Sequence, residues 1–463
     1  MTLLAHWIAR QAALRAPDPA LALGGTEFSY GGLLDLGRRL GAALANRGVR
    51  PGQCVAMAGE GSTGLALAAL GASFAGAAFF PLDARLPQAR RDALLDAAGA
   101  EHRLGGSDLG PGGRAAGDAP APEPAPRSVE LLIASSGSGG APRAAVLTAR
   151  NLGASSAASA ARVPLAARDC WIGCLPLFHV GGMSLLYRCA RAGARLRLHE
   201  GFDAARVLED LGAGATHVSL VPAMLAALLD ESGGAPLPSA VKCLLVGGAP
   251  LSEPLARRAL GAGWPVHVTY GMTETASQVA AGRLDGGWRP GWVGQPLPGV
   301  RVDIHGEGRI RIRGEVVMAG YAGAGRRPAR GPERGAFISG DRGRLDADGS
   351  LVVLGRADAA LVSGGENVDP EEVEPLLAQC PGVEDAALGA RPDPAWGDRL
   401  VALVVGSAEP AAVERWCRER LPPPWRPRRV LKVAALPRNA MHKLDRARLR
   451  SLIAELEARE TPP

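Results

Sequence analysis

The apolar run Leu131, Leu132, Ile133 and Ala134 passes without a break into Ser135, Ser136, Gly137, Ser138, Gly139, Gly140, Ala141, Pro142 and Arg143. Such a join commits the run to a buried strand and the small residues to a loop at its end, because serine and glycine neither fill a core nor hold a helix. Successive backbone N–H groups of that loop can curl around a phosphate, the hydroxyls add donors, and Arg143 adds charge. The segment reads as a polyphosphate cradle, although it lacks the GxxxxGKS/T pattern. A flexible Ser/Gly linker is the other reading.

The surroundings favour a strand in a layered α/β fold. Residues 33–44, 64–75, 182–192 and 223–229 have helical apolar spacing, whereas 54–57, 78–82, 129–134, 170–177, 217–221 and 241–246 are short apolar runs. This βα rhythm implies a mixed or mainly parallel sheet covered by helices. Residues 105–127 turn to Gly, Pro, Ala and Asp, the composition of a surface loop. From Gly291 onward, short β segments at 300–304, 309–312 and 351–354 mark a smaller β-rich subdomain. A new compact unit then begins, with helices expected at 370–379, 411–420 and 444–458 and strands at 384–388 and 399–405. We therefore expect a large multi-lobed α/β domain over residues 1–357 and a small mobile α+β domain over 358–463, with the boundary at Asp358. At 463 residues the chain is too long for a single core.

Composition excludes other classes. Hydrophobic residues make up 47% and charged residues 21%, which rules out disorder throughout. The 52 basic and 46 acidic residues are interspersed, so nothing argues for nucleic acid. Seven cysteines with no CxxC pair, in mostly apolar surroundings, read as reduced core thiols. His6, Arg10, Arg15 and Asp18 interrupt the start, so no signal peptide is expected, and no apolar stretch reaches the ~18 residues of a membrane span. A cytoplasmic protein is expected; a homodimer is left open.

Three further clusters suit a nucleotide. Tyr270, Gly271, Met272, Thr273, Glu274 and Thr275 follow the apolar stretch at 266–268. A ring can stack on a base, a threonine can bond a phosphate and a carboxylate beside it can hold Mg²⁺; a plain loop ending a strand is the bland alternative. Asp341 could accept from ribose hydroxyls and Arg356 could add a donor, though both also suit surface turns. Lys443 follows Leu436, Pro437, Arg438, Asn439 and His442, and is one of only three lysines among the 52 basic residues. A flexible point charge can follow a phosphoryl centre as negative charge builds on it, which a planar guanidinium does less easily.

Together these segments resemble the adenylate-forming superfamily of acyl-CoA synthetases, peptide-synthetase adenylation domains and luciferases. Blocks in the right order carry the likeness over nearly the whole chain: SSGSGGAPR at 135–143, LPLFHVGG at 175–182, YGMTE at 270–274, SGDRG through GRADAALVSGGEN at 339–367, and LPRNAMHK at 436–443. The resemblance implies that Ser135, Ser136, Gly137, Ser138, Gly140 and Arg143 grip the ATP phosphates. Gly248, Ala249 and Pro250 would flank adenine with Tyr270 and Gly271; Thr273 would bond the α-phosphate and Glu274 would ligate Mg²⁺. Asp341 and Arg356 would hold the ribose, Lys443 would serve the first half-reaction, and Asp358 would be the hinge of the C-terminal cap. Gly364, Gly365 and Glu366 would border the channel for the pantetheine of coenzyme A.

Within the superfamily, LPLFHVGG, THVSLVPAML at 216–225, LLVGGAPL at 244–251 and VGQPLPGV at 293–300 look most like the o-succinylbenzoate–CoA ligases of menaquinone synthesis. His179 would then lie along the acyl pocket and Arg188 would face a second substrate carboxylate, while a packed structural histidine is the alternative for His179. The implied activity joins a small carboxylic acid to CoA through an acyl-adenylate, with ATP, Mg²⁺ and CoA. Loading of a carrier-protein thiol and a non-catalytic nucleotide-binding relative are the competing readings. Departures from the family pattern are Gly139 for a usual Thr, Arg143 for a usual Lys, His442 for a usual Gly and Ala359 for a frequent Asp.

Overall fold

A computed structural model describes residues 2–105, 108, 124–135, 143–323, 328–330, 332, 335–356, 361–368, 370–394, 396–437, 444 and 446–460. Ser136, Gly137, Ser138, Gly140, Asp358 and Lys443, and most of the expected loop at 105–127, lie outside these residues.

Among the described residues a nine-stranded sheet has its centre in parallel strands Val266–Met272, Cys243–Val246, His217–Leu220, Cys170–Gly173, Arg195–Leu198 and Pro19–Leu23, in that spatial order. Antiparallel strands Ser277–Arg283 and Thr26–Ser29 flank this centre. The expected strand at 170–177 stops at Gly173, because the chain must leave the sheet there to begin the helix Val180–Ala192. Conversely, Tyr270 to Met272, read from sequence as following a strand, belong to the strand itself.

A second, seven-stranded sheet holds Val129–Ser135 between Ala78–Asp83 and Arg143–Thr148. Leu131, Leu132 and Ile133 are fully buried, at about 2 kcal/mol for each side chain removed from water. Val129–Ser135 and Arg143–Thr148 are antiparallel, and their last pair is Ser135 opposite Arg143. The sheet thus fixes Ser135 and Arg143, the residues on either side of positions 136–142.

Thr148 and Asn151 cap the next helix, Ala149–Arg162, in a reciprocal capping box. The Asn151 amide also donates to the carbonyls of Glu315 and Val317 at 2.8 and 2.7 Å. One cap thus starts a helix and anchors the segment that leads to Tyr321. The four-stranded sheet of Arg301–His305, Arg309–Arg313, Ala336–Leu345 and Leu351–Arg356 is the expected β-rich subdomain.

The C-terminal body has its own sheet, in which Gly397–Gly406 pairs with Val383–Asp393, Leu361–Ser363 and Arg429–Lys432. Its helices are Pro370–Leu377, Pro410–Arg420 and Arg446–Glu460. Separate cores, one around Val373, Leu388, Ala402 and Val413 and one around Leu403, Leu449 and Ile453, let it hold its shape apart from the large body.

Candidate active site

The two bodies enclose a cavity of about 1390 Å³. Ser135, Arg143, His179, Gly248, Ala249, Pro250, Tyr270, Gly271, Thr273, Glu274, Asp341, Gly364, Gly365 and Glu366 all line it, although they span 232 positions of the chain (366 − 135 + 1). Arg356 is placed in its strand opposite Asp341.

One cluster is organised around Glu274, which is 8% exposed in a short 3-10 turn, Thr273–Thr275. The Ser135 hydroxyl and the Tyr321 hydroxyl, the latter at 2.8 Å, both donate to its Oε1. The Met318 N–H donates to the Glu274 carbonyl at 2.8 Å. The Arg143 guanidinium stands 5.4 Å from the centre of the Tyr321 ring. Burial and the Glu274 carboxylate both push the Tyr321 phenol up, so it stays a donor at any ordinary pH.

The turn is held by an unusual backbone. Ala276 and Ser277 take φ of 50° and 101°, a region that non-glycine residues enter at a cost of about 1–2 kcal/mol. The Ser155 hydroxyl secures the Ala276 carbonyl at 2.6 Å. Gly271 must be glycine, because a Cβ there would lie 1.8 Å from the Ser277 carbonyl oxygen. Beside it, the Tyr270 hydroxyl donates to Asp341 Oδ2 at 2.6 Å, and the Asp341 N–H donates to Ser339 Oγ at 3.1 Å. Tyr270, expected beside the base, thus touches Asp341, expected on the sugar.

A second cluster, joined to the first through Ser277, is built differently. Arg188 lies on the helix Val180–Ala192, is 4% exposed, and donates through Nη2 to Ser277 Oγ at 3.0 Å. Its Nε has no hydrogen-bond partner, and no carboxylate pairs with it among the described residues. Burial pushes the guanidinium down to about 10, which leaves it charged at neutral pH. Gln278 is 3% exposed and donates through Nε2 to Thr269 Oγ1 at 3.1 Å, while the Thr269 hydroxyl donates to the Ala280 carbonyl at 2.9 Å. That direction fixes the amide: the single threonine proton is used, so Nε2 must face it and Oε1 is left unpartnered, as it is. Tyr321 and Gln278 carry no motif and were not expected; a signal for Gln278 existed only in its place on the strand after YGMTE.

The C-terminal body closes the cavity with the turn at Gly364 and Gly365. Gly365 has φ of 84°, and a Cβ would come within 2.5 Å of Val221, so the turn seats against the large body only as glycine. Next to it, Glu366 Oε1 lies 3.1 Å from His179 Nε2. Burial pulls the His179 pKa down, but the field and hydrogen bond of Glu366 outweigh it and leave the imidazole more basic than usual. The histidine is therefore a half-exposed contact between bodies rather than a packed core residue. Arg428 lies over Trp396 at 4.0 Å on the same rim, a pair the sequence did not single out.

Residues 8–322 match the AMP-binding enzyme family and residues 372–443 match the AMP-binding enzyme C-terminal domain. The 2-succinylbenzoate–CoA ligase of Geobacillus kaustophilus (strain HTA426) is 33% identical over 99% of both chains. That of Bacillus mycoides (strain KBAB4) is 36% identical over 70% of each. Among solved structures, a double mutant of o-succinylbenzoate CoA synthetase from Bacillus subtilis bound with its product analogue superposes with a TM-score of 0.85, at 28% identity, covering 96% of this chain and 98% of that one. The Bacillus subtilis protein in complex with ATP and magnesium ion gives 0.71 at 27% identity, with 96% and 99% covered. Its complex with the acyl-adenylate intermediate gives 0.70 at 27%, with 96% and 98% covered. At equal coverage and nearly equal identity, this structure is nearer to the product-analogue complex than to the other two.

Proposed function

Because the chain belongs to the AMP-binding enzyme family, we propose that it performs ATP-dependent ligation of 2-succinylbenzoate to coenzyme A through an acyl-adenylate. The observation that carries the choice of acid is Arg188, a charged guanidinium buried in the cavity wall between Ser277 and the Trp171 ring, with no carboxylate of its own among the described residues. An isolated buried charge is costly, and a substrate carboxylate that is not the one activated would neutralise it. A dicarboxylic aryl acid has one group to be activated and one for Arg188, and the 2-succinylbenzoate ligases are the relatives at 33–36% identity.

In the first step a carboxylate oxygen attacks the α-phosphorus of ATP and pyrophosphate leaves; in the second, the CoA thiol attacks the acyl carbon and AMP leaves. Ser135 and Arg143, with Ser136, Gly137, Ser138 and Gly140, would hold the phosphates, and Thr273 the α-phosphate. Gly248, Ala249, Pro250, Tyr270 and Gly271 would take adenine, and Asp341 with Arg356 the ribose. Glu274, a single buried carboxylate beside Ser135 at the start of the expected phosphate segment, fits a magnesium site of the kind that uses one carboxylate and substrate phosphates. Bound there, Mg²⁺ would offset charge on the phosphates. Gly364, Gly365 and Glu366 would border the thiol's path, beside His179. Lys443 would act in the first step only, carried by a C-terminal body that turns about Asp358. The domain division at 357 and 358 belongs to the same reading.

The burial of all seven cysteines in the interior supports the cytoplasmic placement, and no helix among the described residues is long and apolar enough to cross a membrane. Two assays test the reading. Purified protein with ATP, Mg²⁺ and 2-succinylbenzoate should exchange pyrophosphate into ATP and form a CoA thioester, and benzoate should do neither well; equal use of benzoate would refute the role of Arg188. Lys443→Ala should abolish exchange while sparing thioester formation from supplied acyl-adenylate, and equal loss of both would remove the lysine from its assigned step.

A further inference from the structure

We propose that Arg90 and Glu372 are a positioning pair for the thioester-forming half-reaction alone. Arg90 stands on the helix Gln88–Ala98 of the large body and Glu372 on the first helix of the C-terminal body, Pro370–Leu377. Their side chains meet at 2.5 Å between Arg90 Nη2 and Glu372 Oε1, with 18% and 9% of their surfaces exposed. An ion pair so withdrawn from water is weakly screened, so changing the charge of either partner weakens this contact between the bodies.

The large-body side is a shaped socket. Arg85 makes a two-pronged pair with Asp83, at 2.9 Å on each side, and lies 5.7 Å from the Phe178 ring centre. Arg91 donates to the carbonyls of Ala84 and, at 2.6 Å, of Leu86. These bonds brace the short connection ahead of the helix, and Leu86 projects from it onto the core of the C-terminal body. The Arg85 pKa is raised chiefly by its bond to Asp83, and the field of Glu366 adds to this across the same seam. Positive charge on one face thus meets Glu366 and Glu372 on the other.

The structure superposes with a TM-score of 0.85 on the product-analogue complex and of 0.70–0.71 on the ATP and acyl-adenylate complexes, a difference we take as two arrangements of the bodies. The Arg90–Glu372 pair belongs to the arrangement shared with the product-analogue complex. A contact made in one arrangement shifts the balance toward it by its own free energy and does nothing for the other. Losing the pair should therefore slow the step that uses this arrangement and leave adenylate formation alone.

This inference rests on the acid–CoA ligase reading, and the experiment separates the two. Arg90→Glu, Glu372→Arg and the double reversal are assayed for pyrophosphate exchange with 2-succinylbenzoate, and in single turnover for thioester formation from preformed acyl-adenylate and CoA. Each single variant should lose about tenfold in the second assay and less than twofold in the first, and the double reversal should recover most of the loss. Equal losses in both assays, no loss, or no recovery on double reversal would overturn the pair's role. Should a reversal prevent folding, Arg90→Gln and Glu372→Gln carry the same comparison at lower cost, with the unaffected exchange reaction as the control for folding. A wild-type protein inactive toward 2-succinylbenzoate would instead refute the choice of acid, and the split would be read with whichever acid supports exchange.

Discussion

Two clusters in the cavity wall treat their polar groups in opposite ways. Around Glu274 they satisfy one another: Ser135 and Tyr321 donate to its carboxylate, and Tyr270 donates to Asp341. In the other cluster Arg188 Nε and Gln278 Oε1 are buried with no hydrogen-bond partner. A self-satisfied network holds its shape without a ligand and suits a molecule that never changes, such as a nucleotide. Buried groups without partners cost free energy until something binds them, so they discriminate among ligands far more sharply than apolar walls do. Recognition of ATP is thus pre-shaped, and selection of the acid is held in reserve as unmet hydrogen bonds.

The comparison can be broken most directly at Glu274. Glu274→Ala removes the hub of the satisfied cluster, and adenylate formation should fall about 10²–10³-fold with every acid tested. A loss confined to one acid would place Glu274 in the selective cluster instead. Arg188→Met should reverse that pattern. With 2-succinylbenzoate, kcat/KM should fall about 10²-fold or more, the KM for ATP should barely move, and monocarboxylic aryl acids should gain relative to the dicarboxylate.

Gln278→Leu sharpens the contrast because two readouts should move in opposite directions. Replacing an unpartnered buried acceptor by an apolar group should raise thermal stability by about 1 kcal/mol while lowering kcat/KM about tenfold. Loss of both stability and activity would mean that Oε1 is satisfied within the protein. The smallest effect concerns the rim. His179 has a raised pKa, so its charged contact with Glu366 is fully present below pH 6.5 and is lost as pH rises through the raised value. The wild-type rate of thioester formation divided by that of His179→Asn should therefore fall about two- to threefold across that rise; a flat ratio would show that the contact does not bias the step.

Much of the satisfied cluster was legible in the residue order, since its parts are short motifs whose chemistry is local: a strand running into serines and glycines, a tyrosine and a carboxylate four positions apart. Even there the reading was incomplete. Tyr270 to Met272 read as following a strand and are strand, because the antiparallel partner Ser277–Arg283 extends the pairing past the apolar stretch. Tyr321 was invisible because its only tie to Glu274 is spatial, 47 positions away and set by the Asn151 cap on another segment. Arg188 was suspected from resemblance, but its isolation from every described carboxylate could not be read from its neighbours in sequence.

The amino-acid sequence by itself determined the α/β layering, the strand that runs into the Ser/Gly segment and the family to which the chain belongs, because periodicity, small-residue runs and ordered motifs act over a few residues at a time. Only the tertiary structure decided which polar groups are satisfied and which are left waiting, and which arginine of the large body meets which glutamate of the small one. Burial and pairing are properties of how distant segments pack, and a linear order of residues carries no record of the water that packing removes.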